Sequence, residues 1–375
     1  MRFEHLYVHI PFCVSKCNYC DFVSYPVAGR EAELAGYGRL LLGEAALWRE
    51  RAEIGPLKSV YLGGGTPSLL PAEDVRTLLD YLTCAADAEI TLEANPDSVS
   101  ADKLEAWLKA GVNRLSLGAQ SFDDSLLKAM GRPHSAVQIG EAVTLARSAG
   151  FNNIGVDLIY GLPWQSLSAW RATVAQALDL GVEHISLYGL SLSEESLWGR
   201  LAVAGELTPA DEDISADMLE AALDTLPKAG YAHYEISNFA RAGYESRHNT
   251  AYWRRENYLG LGAAAASCAA EKRWFNRREV REYEAELKAG RLPLIEEENL
   301  SIEEVLGEAL FLGLRLTAGI DLEEFSARYG TRAEHYYKRP LKRLCKQGLV
   351  EISEGRLRLT RRGILLGNEV FMQFM

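Results

Sequence analysis

Residues 3–20 read FEHLYVHIPFCVSKCNYC: an apolar run of strand type over Phe3–Ile10, a proline at 11, then Cys13, Cys17 and Cys20 within eight positions. Pro11 has no N–H for a sheet ladder and so ends the strand, which leaves three thiols in the loop just beyond its carboxyl end. Working outward, strand-like runs recur at Ser59–Leu62, Glu89–Ala94, Arg114–Leu117, Asn153–Ile159 and His184–Leu190. Stretches of helical period separate them, at Glu31–Arg51, Ala72–Thr83, Ala101–Lys109, Ala136–Ser148 and Ser168–Asp179. Six strand–helix units predict an α/β fold on a parallel sheet, a partial or nearly closed (β/α)6 barrel. The chemistry of such a barrel collects beyond the carboxyl ends of its strands, which is where the cysteines stand.

The chain has 375 residues, 48% apolar and 25% charged, an ordinary composition that sets aside disorder, collagen and coiled-coil classes. Its net charge of −12 repels phosphate backbones, so nucleic acid is not the expected partner. Glu4 and His5 interrupt any signal-peptide core, and no apolar run reaches membrane-spanning length; a cytoplasmic protein is expected. A cytosolic redox poise keeps thiols reduced. Cys84, Cys268 and Cys345 are scattered singly, whereas the first three cluster.

Beyond Gly205 the alternation loosens into a helix near Asp211–Lys228, an extended stretch Tyr231–Phe239 and an arginine- and aromatic-rich loop to Arg278. The run Glu296–Glu298 reads as a linker. From Ser301 the order is helix, helix, helix, then a hairpin, Leu349–Ile352 and Leu357–Thr360, turning at Glu354-Gly355. That order predicts a small C-terminal winged-helix-like α+β domain. The expected division is 1–205 for the barrel core, 206–299 for an extension and 300–375 for the accessory domain. Between Tyr336 and Arg362 nine basic residues face two acidic ones. The reading preferred for them is a solvated face for packing, partner docking or loose membrane attraction, over nucleic-acid binding.

Soft thiolates select zinc or iron–sulfur clusters. A structural zinc needs four ligands, and only a distant side chain such as His248 could supply the fourth. Three cysteines around a cubane of four irons leave one iron open to a small chelating molecule. Spacing alone leaves both metals in play.

The other strand ends are glycine-rich and polar. Gly63-Gly64-Gly65-Thr66-Pro67 lets backbone approach a ligand with no Cβ in the way. Glu93 in EANP and Gln120 in GAQS place polar groups where a barrel interior needs a partner for them. Arg132 in MGRPH can pair bidentately with a carboxylate, and Asp157 can accept from hydroxyls or an amine. Each alone fits an ordinary salt bridge or cap; their occurrence in strand order points to one ligand.

The cysteine spacing, with Tyr19 before the last cysteine, resembles the signature of the radical S-adenosylmethionine superfamily. YVHIPFC, CNYCDF, YLGGGTP, EANP, GAQSF, GRPH and DLIYGLP together resemble its oxygen-independent coproporphyrinogen oxidase branch over most of the chain. The resemblance implies a 4Fe-4S cluster on Cys13, Cys17 and Cys20. It also implies S-adenosylmethionine contacts from Tyr7, Gly64, Gly65, Thr66, Glu93, Gln120, Arg132 and Asp157. The oxidases carry a further cysteine two positions after the last cluster ligand, where this chain has Phe22, and a long leading segment, whereas here the cluster begins at Cys13.

His248-Asn249-x-x-Tyr252-Trp253 resembles the HNxxYW mark of the haem chaperones of that branch, the HemW type. An imidazole among aromatic rings suits a porphyrin, so His248, Tyr252 and Trp253 are haem candidates, with packing in a core as the bland alternative. Relatives carry a histidine where this chain has Ala266, so any contact it makes is absent here. The expected function is a haem chaperone that transfers haem to apo-haemoproteins such as b-type respiratory cytochromes. A radical enzyme, either a coproporphyrinogen oxidase or a tRNA-modifying enzyme, is the alternative. The expectation leaves room for a homodimer and for peripheral membrane contact.

Overall fold

The computed structural model describes residues 1–375. Six strands pair in sequence order and all in parallel: β1 (Arg2–Ile10), β2 (Glu53–Gly64), β3 (Cys84–Ala94), β4 (Arg114–Gln120), β5 (Ile154–Tyr160) and β6 (His184–Gly189). Parallel strands need crossovers, and the helices Glu31–Arg49, Ala72–Tyr81, Ala101–Lys109, Ala136–Ala149 and Leu167–Asp179 supply them. Leu6, Val8, Leu62, Leu92, Leu117, Val156 and Ile185 share one buried cluster with Tyr37, Leu41, Trp48 and Trp170 of those helices.

The sheet continues past both ends of this set. On one side β6 meets β8 (Asn238–Ala240) and then β7 (Ala232–Glu235), both in antiparallel pairs. On the other, β1 pairs in parallel with β9 (Tyr258–Leu261), followed by β10 (Ala266–Ala269), β11 (Lys272–Asn276) and β12 (Leu294–Asn299). The result is one open sheet of twelve strands. It curls enough that residues beyond β1 and beyond β6 line one cavity, so the barrel is partial.

Two expectations are corrected here. The arginine- and aromatic-rich region is no loop: it forms the helix Arg247–Trp253 and strands β9 to β11. The Glu296–Glu298 run is no linker but lies within β12, with Glu296, Glu297 and Glu298 opposite Phe275, Trp274 and Arg273. The charge suggested solvent, but the strand needs only one covered edge, and Lys272 and Arg273 neutralise it.

Alternation along the parallel strands puts one set of side chains against the helices and the other set inside the barrel. Register stacks the inner set in layers. His5, Ser59 and Glu89 form the lowest, Tyr7, Tyr61, Thr91 and Arg114 the next, and Glu93 pairs with Ser116 above them. Residues 300–375 bury a second, separate cluster around Leu306, Leu310, Phe325, Leu341, Leu344 and Leu357. There a strand β13 (Ile320–Asp321) pairs with the hairpin of β14 (Val350–Ser353) and β15 (Arg356–Leu359). Glu354 and Gly355 both have positive φ, 51° and 73°, as a two-residue hairpin turn of primed type requires. No helix is long and apolar enough to cross a membrane.

Candidate cofactor site

A cavity of about 420 Å³ opens beyond the carboxyl ends of the parallel strands. Cys13, Cys17 and Cys20 line it, together with Gly64, Gly65, Thr66, Glu93, Gln120, Arg132 and Asp157. The cysteine loop is clamped from both sides. Asn18 donates from its backbone N to Met130 O (2.9 Å) and from Nδ2 to Ala129 O (2.8 Å), while Trp198 N donates to Asn18 O at 2.8 Å. Thr66 Oγ1 lies 3.5 Å from Cys13 Sγ, and Arg132 Nη1 lies 3.5 Å from Cys17 Sγ. Burial pushes the Cys13 thiol up from its usual value and the Cys20 thiol to about 11.

The glycines are there for approach and for backbone shape. A Cβ on Gly65 would fall 2.6 Å from Phe12 O and 3.0 Å from Cys13 Sγ. Gly64 has φ +112°, a backbone that a side chain rarely tolerates. Gln120 holds φ +63° without being a glycine, the kind of local strain that collects at ligand sites.

Glu93 accepts from Tyr61 OH at 2.8 Å; burial first, and then Asp157, push its carboxyl up to about 7. Asp157 accepts from Ser116 Oγ with both oxygens, at 3.2 and 3.1 Å, and burial raises it too. Two buried carboxylates that repel one another ask for a cation or for hydroxyl donors. Arg132 is held by Asn95 Oδ1 (2.6 Å) and Gly118 O (2.8 Å), and its buried Nε has no partner. That guanidinium is a ready receptor for a carboxylate.

Tyr7 does not line the cavity. Its hydroxyl donates to His9 Nδ1 at 2.9 Å, and the His9 ring packs where a Gly64 Cβ would stand, so Tyr7 supports the floor. Tyr61, Asn95 and Ser116 also shape the site; Tyr61 opens YLGGGTP and Asn95 lies in EANP, but neither motif gave them a role, and Ser116 lies in none. The alternation within β2 and β4 directs Tyr61 and Ser116 inward, but only the register shows which carboxylates they meet.

Cys13, Cys17 and Cys20 line one cavity, whereas His248, the distant residue weighed as a fourth zinc ligand, is held lower in the barrel by Glu89 and Ser59. Glu89, which holds the backbone of His248, precedes Glu93 by four residues on one strand, about 13 Å at the usual rise. Three thiols spread around a cavity suit a cubane with an open corner, not one zinc.

His248, expected on an exposed loop as a haem ligand, is instead 1% exposed in the lower barrel. His5 Nε2 is bonded to Glu256 Oε2 (3.0 Å), His5 Nδ1 and His248 Nδ1 are both bonded to Ser59 Oγ (2.8 Å each), and His248 Nε2 is bonded to Tyr252 OH at 2.9 Å. Both ring nitrogens are spent, so no lone pair is free for iron. Tyr252 is taken up by this bond and by Tyr258, and Trp253 lies under the Arg315 guanidinium at 4.3 Å. None of the three is a platform at the barrel mouth.

Burial above all, and then His5 and Arg114, lower His248 from 6.5 to about 3. Below pH 6.5 the unfolded chain therefore binds a proton that the folded chain refuses, and stability falls as pH drops towards 3, by about 1.4 kcal/mol per pH unit. Urea unfolding is expected to show His248→Gln losing about 2 kcal/mol less than the parent between pH 7 and pH 5. Equal losses in the two proteins would contradict the buried neutral ring.

Comparison with known proteins follows the same lines. The Radical SAM superfamily profile matches residues 7–177, and the HemN C-terminal domain profile matches residues 300–366. The protein from Bacillus subtilis named Heme chaperone HemW is 37% identical over 374 residues, covering 98% of each chain. Its Lactococcus lactis namesake is 38% identical over 98% of this chain and 96% of its own. The Escherichia coli namesake is 41% identical over 69% of this chain and 68% of its own. Among solved structures, the coproporphyrinogen III oxidase HemN from Escherichia coli superposes with a TM-score of 0.83 over 98% of this chain and 89% of its own. At 23% identity that likeness concerns the fold.

Proposed function

This chain belongs to the HemW family of radical S-adenosylmethionine proteins, and we propose on that ground, with the cavity's geometry, that it is a haem chaperone. The observation that carries the reading is the end-to-end match to proteins of that name. A 4Fe-4S cluster and S-adenosylmethionine are the cofactors of the family, and haem is the cargo. Cys13, Cys17 and Cys20 hold the cluster. Gly64, Gly65 and Thr66 pass backbone along the amino end of S-adenosylmethionine, Glu93 takes its ammonium, and Arg132 takes its carboxylate. Asp157, backed by Ser116, takes ribose hydroxyls, with Gln120 beside it. When bound, these cofactors supply one-electron cleavage of a sulfonium bond; the chain's part is to charge-match and orient them.

Because His248 is buried, and Tyr252 and Trp253 are half-buried in a separate cleft with Arg255, Tyr258 and Phe311, the haem is placed at the open cavity mouth. There Phe22 is 64% exposed and Tyr188 41% exposed, two rings on which a planar macrocycle can stack. Lys16, exposed on the same rim, suits a propionate. Recipients are apo-haemoproteins, with b-type respiratory cytochromes as the class proposed. A cytoplasmic location, a homodimer and peripheral membrane contact through the basic C-terminal face complete the reading. Residues 206–299 are best treated as a barrel extension, since Met218, Tyr231, Leu259 and Tyr283 share the barrel's buried cluster, and 300–375 as the accessory unit.

Haem titration of the anaerobically reconstituted chain tests this. The parent is expected to show a Soret band, Phe22→Glu to bind at least tenfold more weakly, and His248→Gln to bind as the parent does. Decarboxylation of coproporphyrinogen over many turnovers would favour the oxidase reading instead.

A further inference from the structure

The HNxxYW segment, relieved of a ligand role, is pinned at both ends to different parts of the molecule. At its start the backbone N–H groups of Arg247 and His248 donate to the two oxygens of Glu89, at 3.0 and 3.1 Å. The His248 ring is bolted to β2 and β1 through Ser59 and His5. At its end Trp253 and the two arginines that follow it meet the C-terminal domain. Trp253 carries the Arg315 guanidinium, Arg255 Nε donates to Glu308 Oε2 at 3.0 Å, and Arg328 donates to the carbonyls of Arg254 and Arg255, both at 2.7 Å. Arg273 pairs with the same Glu308. Arg255, just past the end of the helix, is 6% exposed and holds φ +53°.

A third contact points up the barrel. The Tyr61 ring stacks on His248 with centroids 5.3 Å apart and planes 29° apart, and its hydroxyl is the donor that Glu93 receives in the cofactor cavity. A continuous line of contacts therefore runs from Glu93 through Tyr61, His248 and one short helix to Trp253 and Arg315.

We propose that the helix Arg247–Trp253 is a strut through which occupation of the cofactor cavity is transmitted to the C-terminal domain. His248 and Trp253 are positioning residues in it, and neither touches cargo. A cation drawn to Glu93 competes with Tyr61 for that carboxylate, and Tyr61 can yield only by shifting against the ring below it. The His248 ring has no slack, because both its nitrogens are engaged, so the helix moves with it and carries Trp253 against Arg315. Coupling of this kind is a free energy shared between two sites, and it is reciprocal. The inference rests on the reading that places the S-adenosylmethionine ammonium at Glu93.

Hydrogen exchange on the anaerobically reconstituted full chain, with and without saturating S-adenosylmethionine, tests it, with binding measured separately by equilibrium dialysis. In the parent, S-adenosylmethionine should slow exchange of amides in 302–329 at least threefold. Trp253→Ala should lose that response and, with no ligand added, exchange faster over the same residues; Trp253→Phe should restore both. Arg315→Gln, which removes the cation from the ring, should behave as Trp253→Ala. Binding in the parent without a response in 302–329, or a response that persists in Trp253→Ala, would overturn the strut and leave the cofactor reading standing. No binding in dialysis would overturn both.

Discussion

Alanine at any one of Cys13, Cys17 or Cys20 is expected to abolish the cluster. The parent, reconstituted without oxygen, should hold about four irons and four sulfides per chain, and each variant close to none. Three thiolates are the fewest that can hold a cubane with one open corner, so no protein ligand is in reserve. The remaining cysteines serve as internal controls. Cys84 begins β3 at the opposite end of the barrel, Cys268 lies in β10, and Cys345 is exposed on the C-terminal domain. Alanine at these positions should leave iron content unchanged. Stoichiometric zinc with no iron in protein kept anaerobic throughout would contradict the arrangement.

Arg132→Ala is expected to weaken S-adenosylmethionine binding by about 2–5 kcal/mol, roughly thirtyfold to several thousandfold. The guanidinium is already oriented by Asn95 and Gly118 and is short of a partner at Nε, so little reorganisation offsets what a carboxylate gains there. Its removal leaves that carboxylate desolvated and unpaired. Glu93→Gln should weaken binding by less, since Asp157 remains as a second negative group nearby. Iron should be measured in the same samples, because Arg132 also approaches Cys17. Unchanged affinity in both variants would place the ligand elsewhere.

The elements that local chemistry governs are legible in the sequence itself. A proline after Ile10 stops β1, cysteines at spacings of four and three mark a thiolate loop, and glycines at 63–65 mark a backbone that something approaches closely. Strand–helix alternation needs only periods of 2 and 3.6, so the parallel sheet follows from the chain alone. The winged-helix-like order at the C-terminus rests on the same two periods and on one Glu-Gly turn.

The HNxxYW segment shows where such reading stops. Arg254, Arg255, Arg273, Arg277 and Arg278 suggest solvent, and solvent suggests an exposed loop bearing a free imidazole. Two of these arginines are instead neutralised by Glu308, more than 30 residues further on, and the bond that consumes His248 Nδ1 reaches back to Ser59. Nothing within a few residues of His248 announces either partner. Periodicity and spacing determined the sheet and the thiolate loop, because those depend on near neighbours along the chain, while the class of cofactor came from the family resemblance of the motifs. Which carboxylate meets which cation, and whether a histidine is free or spent, depends on register across strands and on packing between domains. Those contacts span 32 residues from Tyr61 to Glu93 and 189 from Ser59 to His248, and only the folded chain brings them together.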